Sequence, residues 1–360
     1  MRITAVNAVH CRAELARPIP LACGVLTHRN FGLIRIETDA GVTGWGETSV
    51  NFPPWVYRER IATIDEGLAP LLVGENALDT LRLRDRMVTA TRSFTRMWAE
   101  GALAQAISGV EMALWDLKGK ALDQPVARLL GGIQRDTFRC YATGLKTDDP
   151  AAGAREAVTA GYGAIKIRIG FDEDTDISMA RSVREAIGPD IALLIDANQA
   201  YDRRRAKRMI GALRDLDPYW IEEPVLADDF AGMRDLRRQF PEVPMAWGEN
   251  IYRLDHFQRA ARSNLVDIMM PDPCRCGGLA AAIDAARLAK RIGIPVSAHH
   301  YGSDLGCAAM LHFMAAIQST DLVLRDIADA PLREEIIIED LRPGDGIVHL
   351  PDGLGLGVTP

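Results

Sequence analysis

The sequence predicts a parallel β/α barrel that follows a smaller α+β domain. From about residue 137 onward, short apolar runs alternate with segments that are long enough for one helix each. The repeat of roughly 26 residues is the size of one β/α unit. Residues 1–125 have a different texture, because alternating segments are followed there by a long helical pattern. These observations predict two kinds of architecture in one chain.

Eight short apolar runs are the predicted barrel strands, and the segments between them predict seven helices. The runs are 138–143, 164–169, 191–196, 218–222, 244–248, 266–271, 294–298 and 322–325. The helices are predicted, for example, at 152–161, 173–187, 202–215 and 278–291. We therefore assign residues 126–326 to the barrel. The tail, 327–360, is rich in Gly, Pro and Asp, and we expect it to fold back onto the first domain.

The first domain begins with hairpin chemistry. Apolar and polar residues alternate in 1–12 and 31–48, and Asp39-Ala40-Gly41 supplies a turn between β-branched runs. Residues 56–120 carry apolar positions at four- and three-residue spacing, as expected for helices. We therefore predict an antiparallel sheet followed by a helical bundle in residues 1–125.

Composition excludes several classes of protein. The net charge of -7 argues against nucleic acid as a partner, and no apolar run is long enough to span a membrane. The N-terminus lacks the pattern of a signal peptide, and the six cysteines form no C-x-x-C pair. We therefore expect a cytoplasmic protein with reduced cysteines. They are Cys11, Cys23, Cys140, Cys274, Cys276 and Cys307.

Ionisable residues end six successive barrel strands, and those ends share the rim where barrel enzymes place their active sites. They are Lys166 and Arg168, Asp196, Glu222, Glu249, Asp272, and His299. A single acid at a strand end is more often a helix cap. Three acids in register on adjacent strands instead predict an all-oxygen Mg²⁺ site formed by Asp196, Glu222 and Glu249. Such an ion can neutralise the charge that develops when a carbon next to a carboxylate loses its proton.

A histidine and an aspartate on neighbouring strands predict a general base. Asp272 bonded to one ring nitrogen of His299 would fix its tautomer and raise its basicity. His300 should point the other way, so we interpret it as structural. Lys166 and Arg168 share a face of the second strand and should approach the metal from the opposite side. A Lys near a dication can act as a base, whereas Arg keeps its proton and fits a clamp on substrate oxygens.

At this point the chain resembles the enolase superfamily, and within it the mandelate racemase/muconate lactonizing enzyme-like members. The similarity covers essentially the whole chain. It is carried by Gly44-Trp45-Gly46-Glu47, by the run 109–120, by Leu129-Leu130-Gly131-Gly132, by the spacing of the three acids, and by Asp272 with His299. The last pair is similar to the His–Asp dyad of the mandelate racemase subgroup.

The resemblance implies a (β/α)7β modified TIM barrel with an α+β capping domain, one Mg²⁺ per active site, and a homo-oligomer. It implies removal of the α-proton of a small carboxylate substrate, followed by racemisation, β-elimination or cycloisomerisation. Capping loops at 18–30 and 49–58 would close over the substrate and offer His28 and Trp55 to it. Asn198 matches a residue that lies close to metal and substrate in the family.

Two departures from the family pattern shape the functional hypotheses. Arg168 stands where the family usually has a second Lys, which weakens two-base racemisation and leaves His299 as base on one face. Arg325 stands where many members carry a substrate-binding Glu, although Asp326 fits that role if the strand shifts by one. We therefore predict an acid-sugar dehydratase. The alternatives are a cycloisomerase acting on a sugar-acid lactone, a racemase or epimerase, and a non-catalytic acid-sugar-binding protein.

Overall fold

The computed structural model describes residues 1–22, 24–97, 100–146 and 148–360. The chain begins with an antiparallel sheet in the order β1-β2-β3, formed by β1 (Ile3–Leu21), β2 (Gly24–Thr38) and β3 (Thr43–Thr48). Alternation along β2 places Ile34 and Ile36 on the buried face. The predicted hairpin is present, since β2 and β3 pair antiparallel across the turn that contains Gly41.

A helical bundle packs against this sheet. Its helices are α1 (Val56–Ala62), α2 (Ala69–Leu72), α3 (Thr80–Met97) and α4 (Glu100–Ala121), with a π-helical segment, Thr63–Leu68, between α1 and α2. The short helix α5 (Val126–Leu130) follows α4 and packs into the core of the barrel. Helix α4 lies very close to β3. A Cβ atom on Gly46 would lie 2.2 Å from the carbonyl oxygen of Gly109, and one on Gly44 would lie 2.2 Å from that of Ala113. The two glycines of the hairpin motif therefore allow the backbone of the strand to touch the helix.

Over the residues that the structure describes, the second part of the chain is a parallel barrel surrounded by seven helices, as predicted. Its strands are β4 (Thr137–Thr143), β5 (Ala164–Arg168), β6 (Ala192–Asp196), β7 (Trp220–Glu222), β8 (Met245–Trp247), β9 (Ile268–Met269) and β10 (Leu322–Asp326). The helices are α6 (Pro150–Thr159), α7 (Glu173–Ile187), α8 (Arg203–Leu213), α9 (Phe230–Gln239), α10 (Leu254–Arg262), α11 (Leu279–Arg291) and α12 (Asp304–Ala316), and a 3-10 turn, Arg214–Leu216, follows α8. The strands run side by side in the order β10-β4-β5-β6-β7-β8-β9.

The seventh predicted strand, 294–298, is reduced to a single bridge between Met269 and Val296. The segment still closes the barrel through hydrogen bonds. The amide of Ser297 donates to the carbonyl of Met269 at 3.1 Å, and its hydroxyl donates to the carbonyl of Leu322 at 2.9 Å. Side chains that include Tyr141, Leu194 and Trp220 fill the barrel interior.

The tail returns across the first barrel strand. Strand β11 (Ile347–His349) pairs antiparallel with β4, and the amide of Leu356 donates to Asp116 on α4 at 2.8 Å. Within the described residues, no helix is long and apolar enough to cross a membrane. Cys11, Cys140, Cys274, Cys276 and Cys307 are free thiols, and Cys23 lies outside the described residues.

Two carboxylates of the first domain cap two barrel helices. Oε2 of Glu111 accepts from the amide of Leu279 at 2.7 Å, and its Oε1 accepts from Ala280 at 3.0 Å. Oε2 of Glu47 accepts from the hydroxyl of Ser303 at 2.6 Å and from the amide of Gly306 at 2.9 Å. Because free amides at a helix N-terminus favour negative charge, these bonds join the first domain to α11 and α12.

Candidate active site

The ionisable side chains of β5, β6 and β7 meet in one layer at the rim of the barrel. In the register of the sheet, Arg168 pairs with Asp196, and Asp196 pairs with Glu222. Residues two positions earlier on the same strands, such as Leu194 and Trp220, face the barrel interior. Since side chains two apart share a face, the strand alternation directs the three polar side chains inward. The structure therefore brings together the residues that the sequence places in register.

Lys166 lies between two of the carboxylates. Its Nζ is 3.0 Å from Oε2 of Glu222 and 3.2 Å from Oδ2 of Asp196. Burial lowers the pKa of Lys166, but the two carboxylates outweigh burial and hold the pKa well above its usual value. In this arrangement Lys166 is a counter-ion of the carboxylates and not a neutral base.

His299 bridges two other carboxylates. Its Nδ1 lies 2.6 Å from Oδ2 of Asp272, and its Nε2 lies 3.0 Å from Oε2 of Glu249. Burial lowers the pKa of His299, but the charge of Glu249 and the hydrogen bonds to both carboxylates raise it to about 9. Oδ1 of Asp272 also accepts from the amide of Cys274 at 2.7 Å, which fixes the carboxylate that orients the imidazole.

The three acids predicted to bind metal are close together, but each is now paired with a cation. Among the residues that the structure describes, no three His, Cys, Asp or Glu side chains are gathered closely enough to hold a metal ion as they stand. Burial raises the pKa of Glu249, but His299 and Arg275 outweigh burial and hold it well below its usual range. The donor chemistry nevertheless suits Mg²⁺, since three carboxylates from adjacent strands supply only oxygen ligands.

Sequence reasoning gave no role to Arg275, which supports this layer from the loop after β9. Its Nη1 donates to Oε1 of Glu249 at 2.9 Å, and its Nη2 donates to Asn250. Asn250 donates in turn to both oxygens of Glu223 at 3.0 and 2.8 Å. The second Glu of the Glu222-Glu223 pair is thus bound by an amide, while Glu222 contacts Lys166. Arg275 lies in a loop, where no strand or helix period marks a residue as part of the site.

A cavity of about 390 Å³ lies between the first domain and the barrel rim. Six of the predicted site residues line it, namely Arg168, Asp196, Asn198, Glu249, Asp272 and His299. Lys166 and Glu222 do not line it and are almost fully buried. Asn198 has a positive φ of 45° and donates its amide to Oδ1 of Asp196 at 2.9 Å. Asn tolerates this left-handed conformation better than most residues do, which explains its place after the strand.

Arg168 is held among aromatic and acidic groups at the cavity edge. Its guanidinium carbon lies 4.9 Å from the centre of the Tyr301 ring. Burial lowers the pKa of Arg168, but Tyr301, Asp326 and Asp196 outweigh burial and raise it further above its usual value. Arg168 therefore keeps its proton, as the sequence argument expected.

Three predicted substrate-binding residues lie away from the cavity. Arg325 lies beside Val323 on the helix-facing side of β10, where it donates to Asp304 at 2.7 Å and to Glu334 at 2.8 Å. Asp326 takes the inward position, so the expectation for Arg325 is corrected by one residue of strand register. His28 contacts Thr27 on β2, and Trp55 is 66% exposed before α1; neither residue lines the cavity.

The inward position at the end of β10 belongs to a cluster of arginines. Oδ2 of Asp326 accepts from Nη1 of Arg29 at 2.9 Å and lies 3.2 Å from Nη1 of Arg333. Burial raises the pKa of Asp326, but Arg29, Arg333 and Arg168 outweigh burial and lower it to about 2. The carboxylate is therefore occupied by cations and does not line the cavity.

Glu47 and Gln105 line the cavity from the first domain, and the sequence argument did not assign either to the site. Burial raises the pKa of Glu47 to about 7, although the hydrogen bonds from Ser303 and Gly306 oppose that rise. The sequence argument identifies the motif that contains Glu47 only as part of the hairpin. Gln105 is a polar residue on the buried side of an apolar helix, which is the signal that points to it.

The chain is similar to known proteins over nearly its whole length. Residues 149–360 match the family described as enolase C-terminal domain-like, and residues 3–131 match the mandelate racemase / muconate lactonizing enzyme N-terminal domain. The chain is 32% identical to D-galactarolactone cycloisomerase of Agrobacterium fabrum, over 99% of this chain and 96% of that protein. It is 33% identical to D-xylonate dehydratase of Haloferax volcanii, over 91% of this chain and 82% of that protein.

A solved structure supports the same assignment. A racemase from Streptomyces coelicolor with bound magnesium superimposes with a TM-score of 0.88 at 26% identity, covering 99% of this chain and 97% of the other. The family matches span both the capping elements and the barrel. The chain therefore belongs to the enolase superfamily, in its mandelate racemase/muconate lactonizing enzyme branch.

Proposed function

We propose that this chain is an enzyme that removes the proton next to a substrate carboxylate, with His299 as the base. The observation that carries this proposal is the position of His299. Its imidazole is held by Asp272 at 2.6 Å and lines the same cavity as Arg168, Asp196 and Glu249. An imidazole oriented by a carboxylate and open to a cavity is the arrangement that general-base catalysis requires. Glu249 raises the pKa of this imidazole, so Glu249 would have to turn toward a metal ion before His299 loses its proton and acts as the base.

We propose that Asp196, Glu222 and Glu249 hold one Mg²⁺. Members of the enolase superfamily use Mg²⁺, and the racemase from Streptomyces coelicolor is described with the ion bound. Bound Mg²⁺ would supply the positive charge that stabilises the enolate. Lys166 and His299 contact the carboxylates that would bind the metal. Metal binding therefore requires both side chains to give up part of these contacts.

We propose that the overall reaction is dehydration of an acid sugar. The D-xylonate dehydratase relative supports this choice, as does a cavity lined by amide and hydroxyl groups. Arg168 cannot readily accept a proton, so the α-proton is removed by His299 from one face of the carbon alone. The protonated His299 can then return its proton to the departing hydroxyl when elimination is syn.

The test is a library of sugar acids with one or two carboxylates, assayed with Mg²⁺ for formation of 2-keto acids. Turnover of at least one member is expected, and it should depend on both Mg²⁺ and His299. A folded, Mg²⁺-loaded protein that turns over no member would refute dehydration.

A cycloisomerase is the second candidate. The D-galactarolactone cycloisomerase relative covers nearly the whole chain and favours it. Proton NMR of sugar-acid lactones in D₂O separates the two reactions, because ring opening without loss of water indicates cycloisomerisation.

A racemase would instead exchange the α-proton with inversion. A non-catalytic acid-sugar-binding protein would bind ligands without exchange. The homo-oligomeric state and the compartment stay predictions.

A further inference from the structure

The wall of the cavity that the first domain contributes carries little charge. Among the described residues of that wall, Glu47 is the one charged side chain, and amides at Asn30, Asn51 and Gln105 line it as well. Glu47 is already bound, since Ser303 and Gly306 donate to it. A second substrate carboxylate placed against this wall would lose water and find no cation on it, which costs free energy.

The amide of Gln105 has a fixed orientation. Nη2 of Arg60 donates to Oε1 of Gln105 at 2.8 Å. Arg60 is only 2% exposed, and a guanidinium can donate hydrogen bonds but cannot accept them. The oxygen of the amide must therefore face Arg60, and the NH₂ group must face away from it.

The NH₂ group of Gln105 is a free donor at the cavity. It has no hydrogen-bond partner among the described residues. It is not fully buried either, so solvent or a ligand can reach it. Gln105 lines the cavity and its Oε1 is turned to Arg60, so the NH₂ group is the end of the side chain that is left for a ligand in the cavity.

Neighbouring contacts hold this donor in place. The hydroxyl of Thr48 donates to the carbonyl of Gln105 at 2.6 Å, which fixes the first turns of α4 against the end of β3. Arg60 also donates to the carbonyl of Ala102 and lies 3.4 Å from Oε2 of Glu59. A donor whose position is set before binding loses little entropy when it meets a ligand.

We propose that Gln105 is a specificity residue that donates a hydrogen bond from Nε2 to a hydroxyl on the uncharged end of a sugar acid. Arg60 is the positioning residue that fixes this donor. The proposal rests on the proposed function and narrows its substrate class. Sugar acids with one carboxylate and a hydroxylated end are favoured over sugar acids with a carboxylate at each end.

Binding measurements separate this role from catalysis. We use the Mg²⁺-loaded His299→Asn protein, which is expected to bind but not turn over, and measure Kd by calorimetry. The ligands are a sugar acid, analogues that each lack one hydroxyl far from the carboxylate, and the matching dicarboxylate. With Gln105 present, removal of one hydroxyl should weaken binding about 3- to 10-fold.

In the same background, the Gln105→Met substitution should bring the ratio of the Kd of the analogue that lacks the hydroxyl to the Kd of the sugar acid to about 1. This substitution leaves Arg60 without its partner and can destabilise the fold. The double substitution Arg60→Met with Gln105→Met removes the charge together with its partner and should give the same ratio. Gln239→Met, on an exposed site of α9, is the matched control and should keep the full discrimination.

A ratio that is unchanged in both Gln105 variants would overturn the inference, and so would a dicarboxylate that binds as tightly as the monocarboxylate. Neither result bears on proton removal by His299, so the proposed function would be unaffected in those cases. If no sugar acid binds to the Mg²⁺-loaded protein, the proposed function and this inference both fail.

Discussion

Nε2 of His299 lies 3.0 Å from Oε2 of Glu249, so the proposed base and a proposed metal ligand share one contact. The other ring nitrogen is bound to Asp272 at 2.6 Å. The imidazole is thus held at both ends, and we expect Nε2 to become free for a substrate when Glu249 turns toward an ion. On the proposed function, metal binding and release of the base would be one event in this site.

Replacement of His299 by Asn should abolish catalysis and spare metal binding. General-base catalysis typically contributes about 10²- to 10⁴-fold, so exchange of the α-proton with D₂O should fall by that factor. Proton NMR of a bound substrate measures the exchange, and calorimetry measures the affinity for Mg²⁺. Exchange that persists at the wild-type rate would show that another residue is the base.

Replacement of Lys166 by Met should make the fold depend on Mg²⁺. Asp196 and Glu222 lose their shared cation in this variant, and breaking a buried ion pair costs roughly 3–5 kcal/mol. The metal-free Tm should therefore drop, and the rise in Tm on addition of Mg²⁺ should exceed that of the wild type. Thermal unfolding with and without the ion tests this.

The matched control for the Lys166 variant is the addition of Glu222→Gln. It removes one carboxylate of the pair, so the metal-free Tm should partly recover and the effect of Mg²⁺ should shrink. An equal rise in Tm with Mg²⁺ in wild type and Lys166→Met would contradict the counter-ion role of Lys166.

Replacement of Arg168 by Lys should introduce a second base. The wild type should return recovered substrate with its configuration unchanged, because Arg168 keeps its proton. A Lys on this face can take a proton, so inversion at the α-carbon should become detectable by chiral analysis. Wild-type protein that already inverts the α-carbon at a rate comparable with elimination would refute one-face chemistry.

Glu47 should make stability depend on pH. Its pKa is raised from 4.5 to about 7 in the folded protein, chiefly by burial. Its contribution to stability is therefore complete below the unfolded value and is lost as the pH rises through the folded value. Between about pH 5 and about pH 8.5, the wild-type free energy of unfolding should fall by roughly 2–3 kcal/mol more than that of Glu47→Gln.

Urea unfolding at the two pH values measures this difference. Glu66→Gln removes an exposed carboxylate of the same domain and serves as the matched control, with a pH profile like that of the wild type. Parallel pH profiles of the free energy of unfolding for wild type and Glu47→Gln would mean that ionisation of Glu47 does not destabilise the folded protein.

Much of the barrel site could be predicted because strand alternation is strict. Successive residues of a strand face opposite sides, so the sequence alone predicts that the strand-ending residues Asp196 and Glu222 face inward. The same parity explains the error at Arg325. The end of β10 extends to Asp326, one residue beyond the predicted run, and this shift exchanges the inward and outward side chains.

The wall that the first domain contributes could not be predicted in the same way. His28 and Trp55 are candidates because the family resemblance implies capping loops at 18–30 and 49–58, but loop position does not determine where a side chain points. Glu47 and Gln105 face the cavity because β3 and α4 pack through glycine contacts between distant parts of the chain. Such tertiary contacts leave no local periodic pattern in the sequence.

The two carboxylates that cap barrel helices have a consequence for recombination between relatives. Glu111 supplies acceptors that α11 lacks within the barrel itself, since Gly278 before α11 has no side chain to offer. Glu47 adds a second acceptor at α12, which Ser303 already caps through the amide of Leu305. A chimera could join the first domain of a relative to this barrel and so change the wall of the cavity that the first domain contributes. It would do so only if that first domain also carried acidic residues at these two positions. Other residues of the cavity lining can therefore be exchanged between relatives, provided that acidic residues remain at positions 47 and 111.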